Sequence, residues 1–274
     1  MKDIVPFINP ALLRAHKAIE GRLTTDKLYF RPLLLDLPHG RGACATTFCT
    51  VEALNAIEMS IEQSEYAKKR NRMPNKPYYT ARQNDVAQLI NVLYIGSPDA
   101  IRYCGMGYFK WSLEKLELQK NYAINNLKWY IERKRFGNRL EFVSTSRFEP
   151  HMILWSKPSI IILDEASQLT RRMCDVIMET AQCLNDRLGR NTIVMVSYNP
   201  DIDPFHWLNL ERYNLGSDKA NYLRVPSTYK TVPREWLGET FFQEAEMLKK
   251  ANPQAYKNEY LGQTILSHGR KKED

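Results

Sequence analysis

Residues 159–168, "SIIILDEASQ", set four consecutive apolar residues, Ile160, Ile161, Ile162 and Leu163, ahead of two adjacent carboxylates, Asp164 and Glu165. The run lacks polar alternation, which is the pattern of a strand buried on both faces of a parallel sheet. "TIVMVSYNP", residues 192–200, repeats the pattern and ends in Ser197, Tyr198 and Asn199. "LLLDLPHGRGACATTFCTVEAL", residues 33–54, is a third apolar run, and it stops at a Pro-His-Gly-Arg-Gly turn before a helical pattern that begins at Thr46 and Thr47. Ligands collect at the carboxyl ends of parallel strands, so residues 40–47, 164–165 and 197–199 are predicted to converge on one crevice.

The rest of the chain fits strands alternating with helices. Further β-rich runs stand at 78–82, 140–145 and 221–227, and helical periodicity spans 165–186 and 234–260, with Pro233 suited to a first turn. After the loop, Phe48, Val51, Leu54, Ile57 and Ile61 recur at spacings of three and four, which predicts one helix face packed on the sheet. The fold class expected is α/β, with a mainly parallel central sheet and helices on both faces. Residues 128–145, "KWYIERKRFGNRLEFVST", depart from this and predict an antiparallel hairpin turning at Phe136, Gly137 and Asn138. Its Arg133, Lys134, Arg135 and Arg139 beside Trp129, Tyr130 and Phe136 suit a nucleic-acid surface, or equally a solvated hairpin with its aromatic rings tucked inward. Lys68, Lys69, Arg70 and Arg72 read as a solvated loop.

Composition narrows the function classes. Lys plus Arg number 39 against 31 Asp plus Glu, a net +8 that favours contact with a polyanion without requiring one. The five cysteines, Cys44, Cys49, Cys104, Cys174 and Cys183, show no Cys-x-x-Cys spacing and the five histidines are scattered. These patterns argue against a disulfide framework and a zinc site, and for a reducing compartment. No apolar run approaches the ~18 residues of a membrane span, so a soluble, cytoplasmic protein is expected.

At the crevice, Asp164 and Glu165 suit a magnesium nucleotide: the aspartate would hold the ion through water, and the glutamate would polarise an attacking water. An acidic pair that merely caps the following helix is the competing reading. Residues 40–47 fit a phosphate loop poorly. The Gly-x-x-x-x-Gly-Lys-Ser/Thr pattern calls for glycine, glycine, lysine and a hydroxyl where this chain has His39, Cys44, Ala45 and Thr46. A Cβ at Cys44 narrows the cradle, and the Ala45 methyl cannot neutralise phosphate oxygens.

"INPALLRAHKAIEGR", "HGRGACATT", "IIILDEAS", "VSYNP", "HWLN", "STYKTVPREW" and "ANPQAYKNEYLGQ", in this order, resemble the ATPase domain of the large terminase subunit of tailed bacteriophages. The resemblance covers nearly the whole chain and implies a P-loop NTPase-like three-layer fold. It divides the chain into a helical lead-in (1–30), the ATPase domain (31–265) and a basic tail (266–274), where a nuclease domain normally follows. It implies Glu165 as the catalytic carboxylate and Arg41 as a finger from within the same chain. Gly40, Arg41, Gly42, Ala43, Cys44, Ala45, Thr46 and Thr47 would hold the nucleotide. Asp164 and Thr46 would serve magnesium, and Ser197, Tyr198 and Asn199 would sense the γ-phosphate and couple hydrolysis to movement. The ligands implied are ATP and Mg2+. The partners implied are double-stranded DNA, a terminase small subunit, the portal protein of the prohead, further copies in a ring and a separate nuclease subunit, all in the host cytoplasm at the portal vertex, with no membrane. Two rivals remain open. One is a catalytically impaired docking subunit, which Ala45 supports. The other is a helicase-like DNA-dependent ATPase, which calls for a second motor lobe not found after Asn199.

Overall fold

The computed structural model describes residues 5–25, 29–71, 90–188, 191–201, 203, 206–208 and 221–264. Eight strands form one sheet in the order β3-β4-β5-β2-β6-β7-β1-β8. They are β1 (Leu33–Pro38), β2 (Val92–Gly96), β3 (Tyr122–Asn125), β4 (Tyr130–Arg133), β5 (Arg139–Ser144), β6 (Ile160–Leu163), β7 (Ile193–Tyr198) and β8 (Tyr222–Arg224). From β5 to β8 every neighbouring pair is parallel, whereas β3 and β4 add an antiparallel extension. Register brings the chemical ends level, because Leu163 pairs with Val196 and Pro38 with Tyr198.

Two apolar layers flank the sheet. On one face pack α1 (Leu13–Thr24), α2 (Ala45–Asn71) and α3 (Met106–Lys115). On the other lie α4 (Pro150–Ser156) and α5 (Arg171–Leu188). The predicted α2 stripe of Phe48, Val51, Leu54, Ile57 and Ile61 is buried throughout. Each such side chain contributes roughly 1.5–3 kcal/mol relative to exposure, which fixes the helix against the sheet and so fixes where its first turn points. A third, small cluster joins α6 (Glu239–Ala251) and α7 (Pro253–Leu261) through Tyr229, Ala245, Tyr256 and Tyr260.

Several boundaries differ from the sequence expectation. The predicted strand at 78–82 lies outside the described residues. The helix expected over 165–186 starts at Arg171, because Glu165 is left-handed (φ 51°) and Ala166–Gln168 form a 3-10 turn. The helix expected over 234–260 breaks in two at Asn252, whose side chain accepts from the Ala255 amide to cap α7. Pro233 precedes a 3-10 turn, Arg234–Trp236, and does not open α6. The hairpin forms as β4–β5 with Gly137 at φ 78°. Trp129 and Phe136 pack on the core, as the inward-facing reading expects, whereas Tyr130 lies under the exposed Arg139 guanidinium (4.7 Å), and Glu58 pairs with Arg133 (2.7 Å).

Candidate functional site

Between β1 and α2 the chain turns through six residues, and the amides of four of them, His39, Gly40, Arg41 and Ala43, donate to backbone carbonyls. The Gly40 amide donates to Ser227 O (3.1 Å) and the Arg41 amide to Glu259 O (2.6 Å). A Cβ on Gly40 would stand 2.1 Å from the Tyr260 carbonyl oxygen, so glycine is required for the end of α7 to sit on the loop. Cys44, at the position where a phosphate loop carries its second glycine, adopts φ 60°, a left-handed conformation that glycine favours. The loop thus keeps a glycine-like backbone without the glycine. The first amides of α2, at Ala45, Thr46 and Thr47, have no intrahelical acceptor, and with the helix dipole they suit an anion. They open on a cavity of about 860 Å³ lined by residues 39–47 and, across it, by Gly107, Tyr108, Trp111 and Lys115 of α3. Ala45 and Arg41 line it too.

The acidic strand brings Asp164 against Thr46, behind the residues that line the cavity, while Glu165 turns to Ser97 and Gln168. Thr46 Oγ1 donates to Asp164 Oδ1 (3.1 Å), and Asp164 is only 2% exposed. The Tyr94 hydroxyl donates to Asp164 Oδ2 from the neighbouring strand β2. Glu165 accepts from Ser97 Oγ (3.2 Å) and Gln168 Nε2 (3.0 Å). Burial, with the Asp164 charge second, raises the proton affinity of Glu165, and the Ser97 and Gln168 bonds oppose that. Its left-handed backbone is strained for a side chain bearing a Cβ, which is common at reactive centres. Thr46 and Asp164 present hard oxygen donors in contact, which fits a magnesium ion. No group of three His, Cys, Asp or Glu able to cage a metal occurs among the described residues. A magnesium held mainly by phosphate oxygens and water needs just one or two protein ligands.

The third strand end contributes unequally. Ser197 is buried and its hydroxyl has no hydrogen-bond partner among the described residues. Tyr198 points to the opposite sheet face, where it is buried and bonded to Asp36. Asn199 is the member that reaches the loop: with its amide nitrogen turned toward acceptors it donates to His39 O (3.2 Å) and Asn258 O (3.1 Å). His39 is less readily protonated than an ordinary histidine, because burial outweighs the attraction of Asp164.

Arg41 is engaged elsewhere. Its guanidinium donates to Tyr260 OH (3.0 Å), Glu244 Oε2 (3.1 Å) and Glu259 Oε1 (3.3 Å), all on α6 and α7. Tyr94, Ser97, Trp111, Lys115, Glu244 and Glu259 were not singled out in the sequence. A signal existed for the first two, since "VLYIGS" is a β-rich run that ends in glycine and serine. None existed for Lys115, an ordinary polar residue at the end of an amphipathic helix.

A sequence profile described as phage terminase large subunit matches residues 106–263, more than half of the chain. The chain belongs to the phage terminase large subunit family. The matched span contains the acidic strand, Asn199 and α7, whereas the loop at residues 39–47 lies outside it. Solved terminases share the fold at low identity. The large terminase of a thermophilic bacteriophage, in complex with ADP, superposes with a TM-score of 0.55 at 14% identity over 91% of this chain and 53% of that one. The HK97 bacteriophage large terminase gives 0.58 at 13% identity, covering 93% and 50%. The ATPase domain of the Thermus phage P74-26 large terminase gives 0.53 at 12%, covering 90% and 97%. The chain therefore spans about half the length of the first two of these proteins. No curated protein matches it in sequence. No helix among the described residues of this terminase chain is long and apolar enough to cross a membrane.

Proposed function

We propose that this chain is the ATPase motor of a phage terminase, hydrolysing ATP to ADP and phosphate and using the cycle to drive double-stranded DNA into a prohead. The observation that carries this reading is the contact of Thr46, in the first turn of α2 where it lines the cavity, with Asp164, the residue before Glu165. The free amides of that turn bind phosphate oxygens. Thr46 and Asp164 would hold magnesium, Asp164 through water, and the ion would supply charge neutralisation for the phosphates. Glu165 polarises the attacking water, and its raised proton affinity makes it a better base than an ordinary carboxylate. Arg41 acts as a finger on the transferring phosphate after leaving its α6–α7 partners, and Lys115 supplies the phosphate charge that Ala45 lacks. Asn199, bonded to the loop backbone, passes the state of the nucleotide to the sheet edge, with Ser197 and Tyr198 setting the strand that carries it. The finer partners are a terminase small subunit, the portal protein, further copies in a ring and a separate nuclease, with action in the host cytoplasm at the portal vertex.

The test is phosphate release by the purified chain with magnesium, with and without double-stranded DNA, beside Glu165→Ala. Turnover that DNA stimulates and that the variant lowers by about a hundredfold or more supports the motor, as expected for loss of a general base. A parent chain that neither turns over ATP nor binds ADP overturns it. That outcome favours a silent docking subunit, for which Ala45 in the lysine's place is the supporting observation.

A further inference from the structure

We infer that Tyr94 is a positioning residue for the metal-binding carboxylate: its hydroxyl fixes Asp164 and ties it to the helix that walls the nucleotide cleft. This rests on the nucleotide reading above. Tyr94 sits in the middle of β2, paired with Ile162 one strand away from the acids, and is fully buried. Its hydroxyl donates to Asp164 Oδ2, while Thr46 Oγ1 lies 3.1 Å from Oδ1 and 3.4 Å from Oδ2, so both carboxylate oxygens are held by the two hydroxyls. The ring is packed by Phe109 (centroids 6.2 Å apart, near-perpendicular) and Phe142 (5.4 Å), which leaves it little freedom to swing away.

The chain beside the hydroxyl is shaped to admit it. Ala100–Gly105 form a π-helical turn, a form that occurs mostly as single turns and often at functional sites. A Cβ at Gly105 would lie 2.9 Å from the Tyr94 ring carbons and 3.1 Å from its hydroxyl oxygen, so a side chain there would crowd the tyrosine against Asp164. The turn leads directly into α3, whose Gly107, Tyr108, Trp111 and Lys115 line the cavity. Packing alone needs a ring at this position, and phenylalanine would serve. The hydroxyl adds a bond to the carboxylate, and bonds of that kind set the direction of a ligand's remaining lone pairs.

The experiment measures Mn2+ binding to the full chain with ADP by electron paramagnetic resonance, for the parent, Tyr94→Phe and Phe142→Leu. Tyr94→Phe is expected to weaken Mn2+ binding by about 10–100-fold, the usual effect of losing a ligand's supporting bond, while ADP affinity in chelator stays at the parental value. Phe142→Leu removes one of the two flanking rings and lowers the melting temperature, but Phe109 still packs on Tyr94 and the hydroxyl stays on Asp164, so the Mn2+ affinity stays parental. Should Tyr94→Phe fail to fold, Gly105→Ala takes its place, with the same expected loss. Parental Mn2+ affinity in Tyr94→Phe overturns the inference, and so does an equal loss in Phe142→Leu. A parent that binds neither ADP nor Mn2+ overturns the nucleotide reading itself, and this one with it.

Discussion

The acidic edge and the loop at residues 39–47 meet across 3.1 Å, from Asp164 to Thr46, yet they relate to their sequences in opposite ways. At the acidic edge the letters and the geometry agree: Ile160–Leu163 form a buried strand and Asp164 and Glu165 emerge at its end. At the loop the letters have departed and the backbone has not. Cys44 holds the left-handed turn that glycine would hold, Thr46 keeps its hydroxyl on Asp164, and the end of α7 is seated on Gly40. A backbone path fixed by many neighbours outlasts a change in any one side chain, whereas a charge has no substitute in the backbone. On the nucleotide reading, what the loop lacks is a charge at position 45, since its turn at Cys44 is still left-handed.

That contrast breaks most readily at Gly40. Gly40→Ala puts a Cβ 2.1 Å from the Tyr260 carbonyl, and overpacking of this kind costs about 1–3 kcal/mol or more. Urea melts should show that loss together with weakened ADP binding. A neutral result would detach α7 from the loop and remove the backbone argument.

Lys115 tests the charge side of the contrast. Lys115→Ala should weaken ATP binding by about tenfold, roughly 1.4 kcal/mol for one exposed charge on a phosphate, with AMP binding less affected. Equal affinities for ATP in parent and variant would leave Arg41 as the source of the charge.

The smallest effect is expected at Cys44. Replacement by glycine relieves a left-handed Cβ worth about 1–2 kcal/mol but adds unfolded-state freedom worth roughly 0.5–1 kcal/mol, so the net stability change should stay within about 1 kcal/mol. The thiol offers a finer readout. Burial raises its proton affinity, so the reactive thiolate is scarcer at neutral pH than in an ordinary cysteine. Alkylation at Cys44 should keep accelerating as pH rises past the usual thiol value of about 8.5, and ADP should slow it. A rate that levels off below that pH, or that ADP leaves untouched, would separate the thiol from the cleft.

Legibility in the sequence followed the same divide. Strands buried on both faces announce themselves, so β1, β6 and β7 and their convergence were readable from apolar runs. The α2 stripe was equally plain, since five apolar positions at helical spacing mark a helix face that must be buried. The partners of Arg41 were not, because Glu244 and Glu259 lie 203 and 218 residues away and pair by folding, not by spacing. Tyr94 reaches Asp164 across 70 residues and Ser97 reaches Glu165 across 68, contacts that depend on β2 lying beside β6 in the sheet. Charge on the β4–β5 hairpin was visible, but its pairing of Arg133 with Glu58 on α2 was not.

The seating of residues 259–262 on Gly40 also sets a timetable for synthesis. The loop leaves the ribosome early, yet its backbone is completed by the Arg41 amide on Glu259 O and by Gly262 packed against His39. Contacts so distant in sequence form late and slow a folding reaction. A nascent chain should therefore carry an unfinished loop until α7 has emerged and, on the nucleotide reading, acquire affinity for nucleotide abruptly as residue 262 comes free.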